Sequence, residues 1–474
     1  MERREFLTLS GAAAVALLTG CGGGGGGNDA GSTLTPIAKS LPIPPSLTGT
    51  GAGTASDPKV YELRVQSSSH DFFHEGKTAT YAVNGTFLGP TLFLRDGEDV
   101  SIKYENTLSE TISMHGHGMH LPANMDGSAW QNIAAGTTWS AKYTVNQKAC
   151  TNWYHPHTLK QTSEQVYKGI AGMIIIEDAE SDALDLPKRY GIDDIPLVLQ
   201  DRKFDNAVQL LYSPNMHEVM TGYIGDTFLA NGAIEPTFDA EAKEIRFRIL
   251  NGSNSSMYKI GFSDGRAFKQ IATDNAFLES PVSMTSLVLS PAERAEIVVD
   301  LSGDIGKSIE LKEFLYNKTF VKINVSKSAS ATTTLPSALT TLTRLVPPST
   351  VTRTFTLEAS DGNFTINNKV MDLNRIDETV YLDDIELWEI TNTMGVNHNF
   401  HMHGTHFQLI SRNGNTSIPA NEDGYKDTVW IPADESVQIV VKMTDYTDIT
   451  VPYMYHCHFL EHEDRGMMGQ FIVR

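Results

Sequence analysis

Three short β-type segments recur along this chain at almost equal spacing, and this repeat constrains the fold more than any other feature. Each segment leads into an asparagine, at Asn106, Asn251 and Asn392, so the repeats are 145 and 141 residues apart. An Asn-Gly or Asn-Asn turn lies upstream of each asparagine. Short apolar or alternating runs bounded by turn residues are typical of β-strands. The pattern predicts an all-β protein of three related β-sandwich units, each about 140 residues long.

Breaks in this pattern predict where the units begin and end. We expect the first unit at residues 57–180, the second at 181–330 and the third at 350–474. A Ser/Thr/Pro-rich stretch at about 326–352 is predicted to connect the last two units.

The first 21 residues resemble an export signal and are not expected to join the fold. The string RREFL is similar to a twin-arginine signal, and LTGC is similar to a lipoprotein processing site that would place a lipid on Cys21. The alternative is an ordinary cleaved signal peptide in which Cys21 has no role. Residues 22–56, rich in Gly, Ser, Thr and Pro, are predicted to be a flexible tether. We therefore expect an exported protein of the periplasm or cell envelope.

Composition excludes two classes of protein. The chain has 57 acidic residues against 37 Lys and Arg, a formal net charge of −20. Such an acidic surface argues against nucleic-acid binding, which needs cationic side chains opposite the phosphates. Three cysteines are too few for a disulfide scaffold.

The histidines point to a metal cluster. Four His-x-His pairs occur where chance predicts about half a pair in a chain of this length and histidine content. Side chains at i and i+2 share one face of a strand, so each pair aims two imidazoles at one point. Eight imidazoles exceed the four ligands of a structural zinc site and favour a cluster of several ions. The four pairs are His115/His117, His155/His157, His401/His403 and His456/His458.

The last pair encloses a cysteine, which indicates a second kind of site. If the segment is extended, Cys457 faces away from its two histidine neighbours. His398 lies three residues before His401 and is expected to face the same way as Cys457, while His462 and Met467 follow downstream. Two imidazoles, a thiolate and a weak axial thioether form the ligand set of a blue-copper electron-transfer site.

Four motifs carry a resemblance to the multicopper oxidases, which covers about residues 61–474. They are HGHG at 115–118, WYHPH at 153–157, HNFHMHG at 398–404 and HCHFLEHEDRGM at 456–467. The chain is most similar to the bacterial three-domain group that includes laccases and periplasmic copper-efflux oxidases. The resemblance implies three consecutive cupredoxin-like Greek-key β-sandwich domains, with one copper in the third domain and a trinuclear cluster between the first and third.

The resemblance also implies a role for each metal-ligating residue, with four copper ions as cofactors. Type 1 copper would be held by His398, Cys457 and His462, with Met467 as axial ligand. Type 2 copper would be held by His115 and His401. The type 3 pair would be held by six histidines, His117, His155, His157, His403, His456 and His458.

Two carboxylates resemble the proton-handling acids of this family. Asp126 follows the first motif, and Glu463 directly follows His462. A carboxylate beside a metal cluster in a water-lined channel suits proton transfer. The alternatives are a turn aspartate before Gly127 and an exposed glutamate.

The implied activity is oxidation of a small reducing substrate coupled to four-electron reduction of O₂ to water, by a protein expected to be a monomer. The methionine-rich insert of copper-efflux oxidases is missing, because residues 320–370 contain no Met. Copper-efflux oxidases also carry an Asp and a Met just before the type 1 histidine, whereas residues 391–397 of this chain offer only Met394. The expected substrate is therefore either a phenol or aromatic amine, or Cu(I). The alternative function is a non-catalytic copper-binding or cupredoxin-fold scaffold lipoprotein.

Overall fold

The computed structural model describes residues 34–329 and 331–474. The predicted export signal at residues 1–21, and residues 22–33 of the predicted tether, lie outside the described residues. Three pairs of β-sheets follow one another along the described chain.

The first sheet pair packs around a core that includes Tyr61, Leu63, Ile102 and Ile174. Its sheets have the strand orders β3-β2-β5-β7 and β1-β4-β9-β8-β6. Along β3 the buried and exposed side chains alternate, as expected of a strand with one face on the core. The strands are β1 Ser46–Leu47, β2 Lys59–Phe73, β3 Gly76–Val83, β4 Thr91–Arg95, β5 Asp99–Asn106, β6 His115–His117, β7 Thr138–Thr144, β8 Cys150–His155 and β9 Gly172–Glu177.

The second sheet pair has the orders β12-β11-β10-β14-β19-β16-β17 and β13-β21-β20-β15-β18. Strand β10 is buried along its whole length, because Val198 on it packs against Trp153 and Met173 of the first unit. The strands are β10 Asp194–Arg202, β11 Thr227–Ala230, β12 Ala233–Ile234, β13 Thr237–Glu241, β14 Glu244–Asn251, β15 Tyr258–Phe262, β16 Phe268–Ala272, β17 Phe277–Met284, β18 Ser286–Leu289, β19 Arg294–Asp300, β20 Ser308–Glu313 and β21 Lys318–Lys327.

The third sheet pair has the orders β23-β22-β25-β29-β27 and β24-β31-β30-β26-β28. Its core includes Trp388, Phe400, Tyr455 and Phe471. The strands are β22 Arg353–Ser360, β23 Asn363–Ile366, β24 Glu378–Val380, β25 Ile385–Asn392, β26 His398–Met402, β27 Phe407–Arg412, β28 Thr428–Ile431, β29 Ser436–Lys442, β30 Asp448–His456 and β31 Met468–Val473.

The helices are short connections between these strands. They are a 3₁₀ turn at Ala123–Met125 and the α-helices α1 Thr162–Tyr167, α2 Ala179–Ala183, α3 Met216–Thr221 and α4 Leu460–Asp464. Within the described residues, none of these helices has the length and apolarity needed to cross a membrane.

The three sheet pairs repeat one topology. Each contains one parallel pairing in its first sheet, β2 with β5, β10 with β14 and β22 with β25. Each contains another in its second sheet, β4 with β9, β13 with β21 and β24 with β31. Parallel neighbours require crossover connections, so the strands do not follow one another in simple hairpins. The predicted all-β class of three Greek-key sandwiches is confirmed.

The recurring asparagines occupy equivalent positions in the three units. Each is buried, and its side-chain amide donates to two or more backbone carbonyls at 2.8–3.2 Å. Each side-chain oxygen accepts from the backbone N–H two residues later, at 2.9–3.1 Å. A buried carbonyl without a partner is costly, so this corner selects asparagine. The residues are Asn106, Asn251 and Asn392.

The structure differs from the predicted tether at residues 34–56, which pack on the fold. Ser46 and Leu47 pair in parallel with β4, and the Leu41 N–H donates to the carbonyl of Thr237 at 2.8 Å. Leu41 also enters the core of the second unit. The composition of this stretch indicated flexibility, but its few apolar side chains and an available sheet edge fix it in place.

Candidate metal centres

The four His-x-His pairs lie at the ends of two strand pairs that face each other across the first and third units. On the first unit, His115 of β6 pairs directly with His155 of β8. On the third unit, His401 of β26 pairs with His456, the last residue of β30. All eight rings are at most 1% exposed. We call this group the eight-histidine cluster, and its members are His115, His117, His155, His157, His401, His403, His456 and His458.

Ring nitrogens of this cluster converge in small groups across the interface. His456 Nε2 lies 3.1 Å from Nε2 of His157 and 3.1 Å from Nε2 of His403. His155 Nε2 lies 3.4 Å from Nε2 of His458 and 3.4 Å from Nδ1 of His117. Each group joins both units, and three donor nitrogens at this separation fit a shared metal ion.

His115 and His401 form the remaining pair of the cluster. Among the described residues, the Nε2 atoms of both rings are buried and have no hydrogen-bond partner. Ligand atoms of these two residues and of His403 lie within 4.8 Å of one another. Two orphaned buried nitrogens are costly unless an ion binds them, so these residues also fit a metal.

Backbone carbonyls and carboxylates fix which ring nitrogen is available. Seven histidines donate one ring N–H to an oxygen at 2.7–3.1 Å. Those oxygens only accept hydrogen bonds, so the other ring nitrogen of a neutral imidazole keeps its lone pair. This second contact is typical of metal-ligating histidines. The seven are His115, His117, His155, His401, His403, His456 and His462.

The second group of donors lies beside the eight-histidine cluster and is named the cysteine site, comprising His398, Cys457 and His462. Nδ1 of His398 lies 3.4 Å from the Cys457 sulfur and 3.0 Å from Nδ1 of His462, and the sulfur lies 3.8 Å from His462. All three side chains are buried. Two imidazoles and a sulfur at these separations fit a copper ion of the blue type.

Two methionines lie close to the cysteine site. Met467 is fully buried, and its carbonyl accepts from the Cys457 N–H at 3.1 Å. The Met394 sulfur lies 3.2 Å from Nε2 of His398. His462 is closed off from solvent by α3 of the second unit, because its Nε2 donates to the carbonyl of Val219 at 3.0 Å. No pattern in the sequence indicated this contact.

Burial keeps the ligand rings neutral. Desolvation is the largest cause of a lowered pKa for nine of the ten histidines, and repulsion between neighbouring rings adds to it for most of them. The pKa values of His157 and His462 fall to about 3. Burial also raises the pKa of the Cys457 thiol to about 12. The other histidines with a lowered pKa are His117, His155, His398, His401, His403, His456 and His458.

Asp126 is buried against two rings of the eight-histidine cluster. Its Oδ2 accepts from Nδ1 of His403 at 2.7 Å, and its backbone carbonyl accepts from Nδ1 of His115 at 2.8 Å. Burial raises the pKa of Asp126, but attraction to His403 and His115 outweighs it, so the pKa lies well below its usual range. Asp126 therefore orients two rings, His403 through its carboxylate and His115 through its backbone carbonyl.

Glu463 on α4 lies on the other side of the cluster. Its Oε2 is 3.3 Å from Nδ1 of His456, and its Oε1 is 3.8 Å from Nδ1 of His157. Within the described residues, neither oxygen has a hydrogen-bond partner. Burial raises its pKa well above the usual range. The alternative of an exposed glutamate is wrong, because the side chain is fully buried.

Asp427 is a third carboxylate at the cluster, and the sequence analysis missed it. It lies in the string KDTVWIP, directly before β28, and accepts from Nε2 of His117 at 2.9 Å. Its backbone carbonyl accepts from Nδ1 of His401 at 2.8 Å. Burial raises the pKa of Asp427, but Arg294 and His117 together hold it well below its usual range. No histidine or cysteine motif includes this residue, so only its position between the third and fourth motifs could have drawn attention to it.

Comparisons with known proteins agree with this geometry. Two family models described as multicopper oxidase match residues 64–181 and 344–474. The chain is 36% identical to multicopper oxidase mco of Staphylococcus haemolyticus, over 88% of each chain. It is 34% identical to cell division protein FtsP of Xenorhabdus nematophila, over 100% of this chain and 98% of that one.

A solved structure shows the same overall arrangement. The crystal structure of the multi-copper oxidase from Pediococcus acidilactici superposes with a TM-score of 0.86 at 31% identity, covering 94% of both chains. Membership of the family implies copper binding, and the two groups of donors described above fit that metal. This chain belongs to the multicopper oxidase family.

Proposed function

We propose that this protein is a four-copper oxidase that takes electrons singly from a reducing substrate and reduces O₂ to water. The observation that carries the proposal is the segment His456–Cys457–His458. Its sulfur belongs to the cysteine site, while its two imidazoles belong to the eight-histidine cluster. One short stretch of chain therefore joins a one-electron site to a site with room for several ions.

The copper ligands proposed are those expected from the sequence. His398, Cys457 and His462 would hold type 1 copper with Met467 axial, His115 and His401 would hold type 2 copper, and the other six cluster histidines would hold the type 3 pair. When bound, the copper ions supply a one-electron acceptor and a multi-electron centre for O₂. The orphaned Nε2 atoms of His115 and His401 support this assignment.

The protein's own residues orient the ligands and connect the two sites. The Cys457 side chain and its backbone provide a short covalent path to His456 and His458. The N–H donated by His456 Nδ1 to the Cys457 carbonyl, at 3.1 Å, turns that ring toward the cluster. These contacts fix the geometry before any ligand binds, which lowers the reorganisation needed during electron transfer.

Asp126 and Glu463 are proposed to relay the protons needed to form water. Asp126 contacts His403 and His115, and Glu463 faces His456 and His157 from the opposite side. A cleft of about 410 Å³ is lined by Glu463, Asp464 and other residues of α1, α3 and α4. This cleft supports a route between solvent and Glu463.

The proposed reducing substrate is a phenol, an aromatic amine or Cu(I). Any donor would meet α3 and not the ring of His462, since Val219 covers that ring. Export to the periplasm or cell envelope, with or without a lipid on Cys21, and a monomeric state complete the proposal.

The experiment begins with copper-loaded full-length protein. We expect about four copper ions per chain, and O₂ uptake on addition of dimethoxyphenol, Cu(I) or Fe(II), whose turnover rates rank the donors. Bound copper without O₂ uptake from any donor would contradict the oxidase proposal.

A second candidate function is a non-catalytic scaffold, because the chain is similar over its whole length to FtsP, which is named as a cell division protein and not as an oxidase. The complete set of donors in the two sites favours the oxidase. The same experiment separates them, because a scaffold would consume no O₂ with any of the three donors.

A further inference from the structure

We infer that Arg294 of the second unit is a positioning residue for the trinuclear site, and that it acts through Asp427. The second unit contributes no histidine to either site, yet this arginine reaches the interface of the other two units. The inference rests on the proposed function and adds a residue to it.

Arg294 opens β19 and is fully buried. Its two terminal nitrogens donate to the two carboxylate oxygens of Asp427, at 2.7 and 2.6 Å. It also donates to the carbonyl of Thr151 at 2.9 Å and to the side-chain oxygen of Asn152 at 2.6 Å. Thr151 and Asn152 lie on β8, the strand that ends at His155. One guanidinium therefore connects all three units, and its fork geometry matches a carboxylate held at two points.

Asp427 transmits this connection to the rings. Its Oδ1 accepts a hydrogen bond from the Nε2–H of His117, which leaves His117 Nδ1 to face His155. Its backbone carbonyl accepts a hydrogen bond from the Nδ1–H of His401, which leaves His401 Nε2 free for an ion. The residue thus sets the tautomer of one proposed type 3 ligand and one proposed type 2 ligand.

His117, His401 and Asp427 also lie close enough to form a metal site by distance alone. The arginine argues against that use of the carboxylate, because both oxygens are already engaged and a cation lies beside them. Asp427 is therefore an orienting group and not a ligand.

The space around the ion pair is fully used. A Cβ on Gly118, the last residue of HGHG, would lie 2.5 Å from Arg294 Nη2, 2.5 Å from the Asn152 oxygen and 2.6 Å from Asp427 Oδ2. Gly118 also has φ of +80°, where other residues are strained. The backbone after His117 therefore requires glycine, which leaves room for the contact between Arg294 and Asp427.

The test compares Arg294→Lys with Arg248→Lys in copper-loaded protein. Lysine keeps the charge but loses the two-point bond. Arg248 is the matched control, because it is buried in the same unit, pairs with Asp194 and Glu296, and contacts the Thr151 side chain but no histidine. The measurements are copper content, the electron paramagnetic resonance of type 2 copper, the near-ultraviolet absorption of the type 3 pair and the visible absorption of the cysteine site.

We expect Arg294→Lys to alter the type 2 and type 3 signatures and to weaken trinuclear copper binding or turnover roughly 10- to 100-fold. The visible absorption of the cysteine site should be unchanged in Arg294→Lys. Arg248→Lys should keep all three signatures. Equal signatures in the two variants, or equal losses, would overturn the inference.

If Arg294→Lys does not fold, Asp427→Asn supplies the test. It keeps the shape of the side chain while removing the acceptor charge, and the same signatures should change. Unchanged signatures in this variant would also overturn the inference. A wild-type protein that binds no copper would instead contradict the proposed function, so the two failures are distinguishable.

Discussion

The second unit and the pair formed by the first and third units share one scaffold but bury different polar groups. In the second unit these groups are charged pairs, such as Lys243 with Asp193 and Arg248 with Asp194. Between the first and third units they are chiefly imidazoles, which burial keeps neutral, with the carboxylates of Asp126, Glu463 and Asp427 lying against them. Paired charges satisfy one another, whereas neutral imidazoles leave lone pairs for an ion. The sandwich topology therefore does not specify metal binding; the residues at the strand ends do.

The largest effect is expected from Cys457→Ser, which tests whether the two sites act together. Serine oxygen is a poor replacement for a copper-binding thiolate, so turnover should fall to the background rate and the visible absorption should disappear. Trinuclear copper signatures should remain. Cys150→Ser, which changes the other buried free cysteine in the described chain, is the control and should keep both. Normal O₂ uptake by Cys457→Ser would contradict the proposed function.

A smaller loss is expected from Asp126→Asn. The amide keeps the size of the side chain but weakens the contact with His403, so turnover should fall roughly 10- to 100-fold in steady-state O₂ uptake. Asp193→Asn removes a buried carboxylate of the second unit that faces lysine and arginine. It should lower the thermal unfolding midpoint without changing the copper signatures. If both variants changed those signatures alike, the contrast between the two regions would be lost.

The asparagine that recurs in each unit provides a second contrast between the regions. Asn251→Ala and Asn392→Ala each remove an amide that satisfies buried carbonyls, and each should lower the free energy of unfolding by about 2 kcal/mol. Only Asn392→Ala should also disturb the cysteine site, because Asn392 holds the turn that leads to Met394 and His398. Denaturant unfolding and visible absorption measure the two effects. A spectral change in Asn251→Ala would contradict the expectation that this corner of the second unit does not support the cysteine site.

The smallest effect concerns pH and His70, which lies between the first and second units and outside the metal sites. Its Nε2 lies 3.1 Å from the carbonyl of Gly232. Burial lowers the pKa of His70 to about 4, and nearby Lys39 adds to this. The neutral ring therefore contributes stability above about pH 6.5, and this is lost as pH falls toward 4.

His70→Gln should remove about 1 kcal/mol of that acid sensitivity, a figure reduced because the ring is partly exposed. Unfolding free energies at pH 7 and pH 5 measure the difference. His217→Gln, an exposed position on α3, is the control. Identical pH dependence in wild type and His70→Gln would exclude His70 as the cause.

Local sequence patterns predicted the β-sandwich scaffold and the metal-ligating side chains. They did not predict contacts between residues far apart in the sequence. The spacing of Asn106, Asn251 and Asn392 follows from the same side-chain contacts in each unit, so the repeat is visible in the sequence. The facing of the His-x-His pairs follows from strand geometry. Val219, Asp427 and Arg294 reach the sites from positions 243, 310 and 133 residues away from their partners, and no local pattern encodes such pairs. The packing of residues 34–56 was not predicted for a similar reason, since it depends on the edge of a sheet formed by residues elsewhere in the chain.

The glycine that closes HGHG carries a consequence for comparing sequences. The histidines of that motif indicate metal binding, whereas the glycine at position 118 indicates that the Arg294 side chain of the second unit packs there. A relative with alanine there would have to give up or rebuild the arginine contact, even with every donor intact. Replacing the second unit with that of another protein would likewise require an arginine at the position from which Arg294 contacts Asp427.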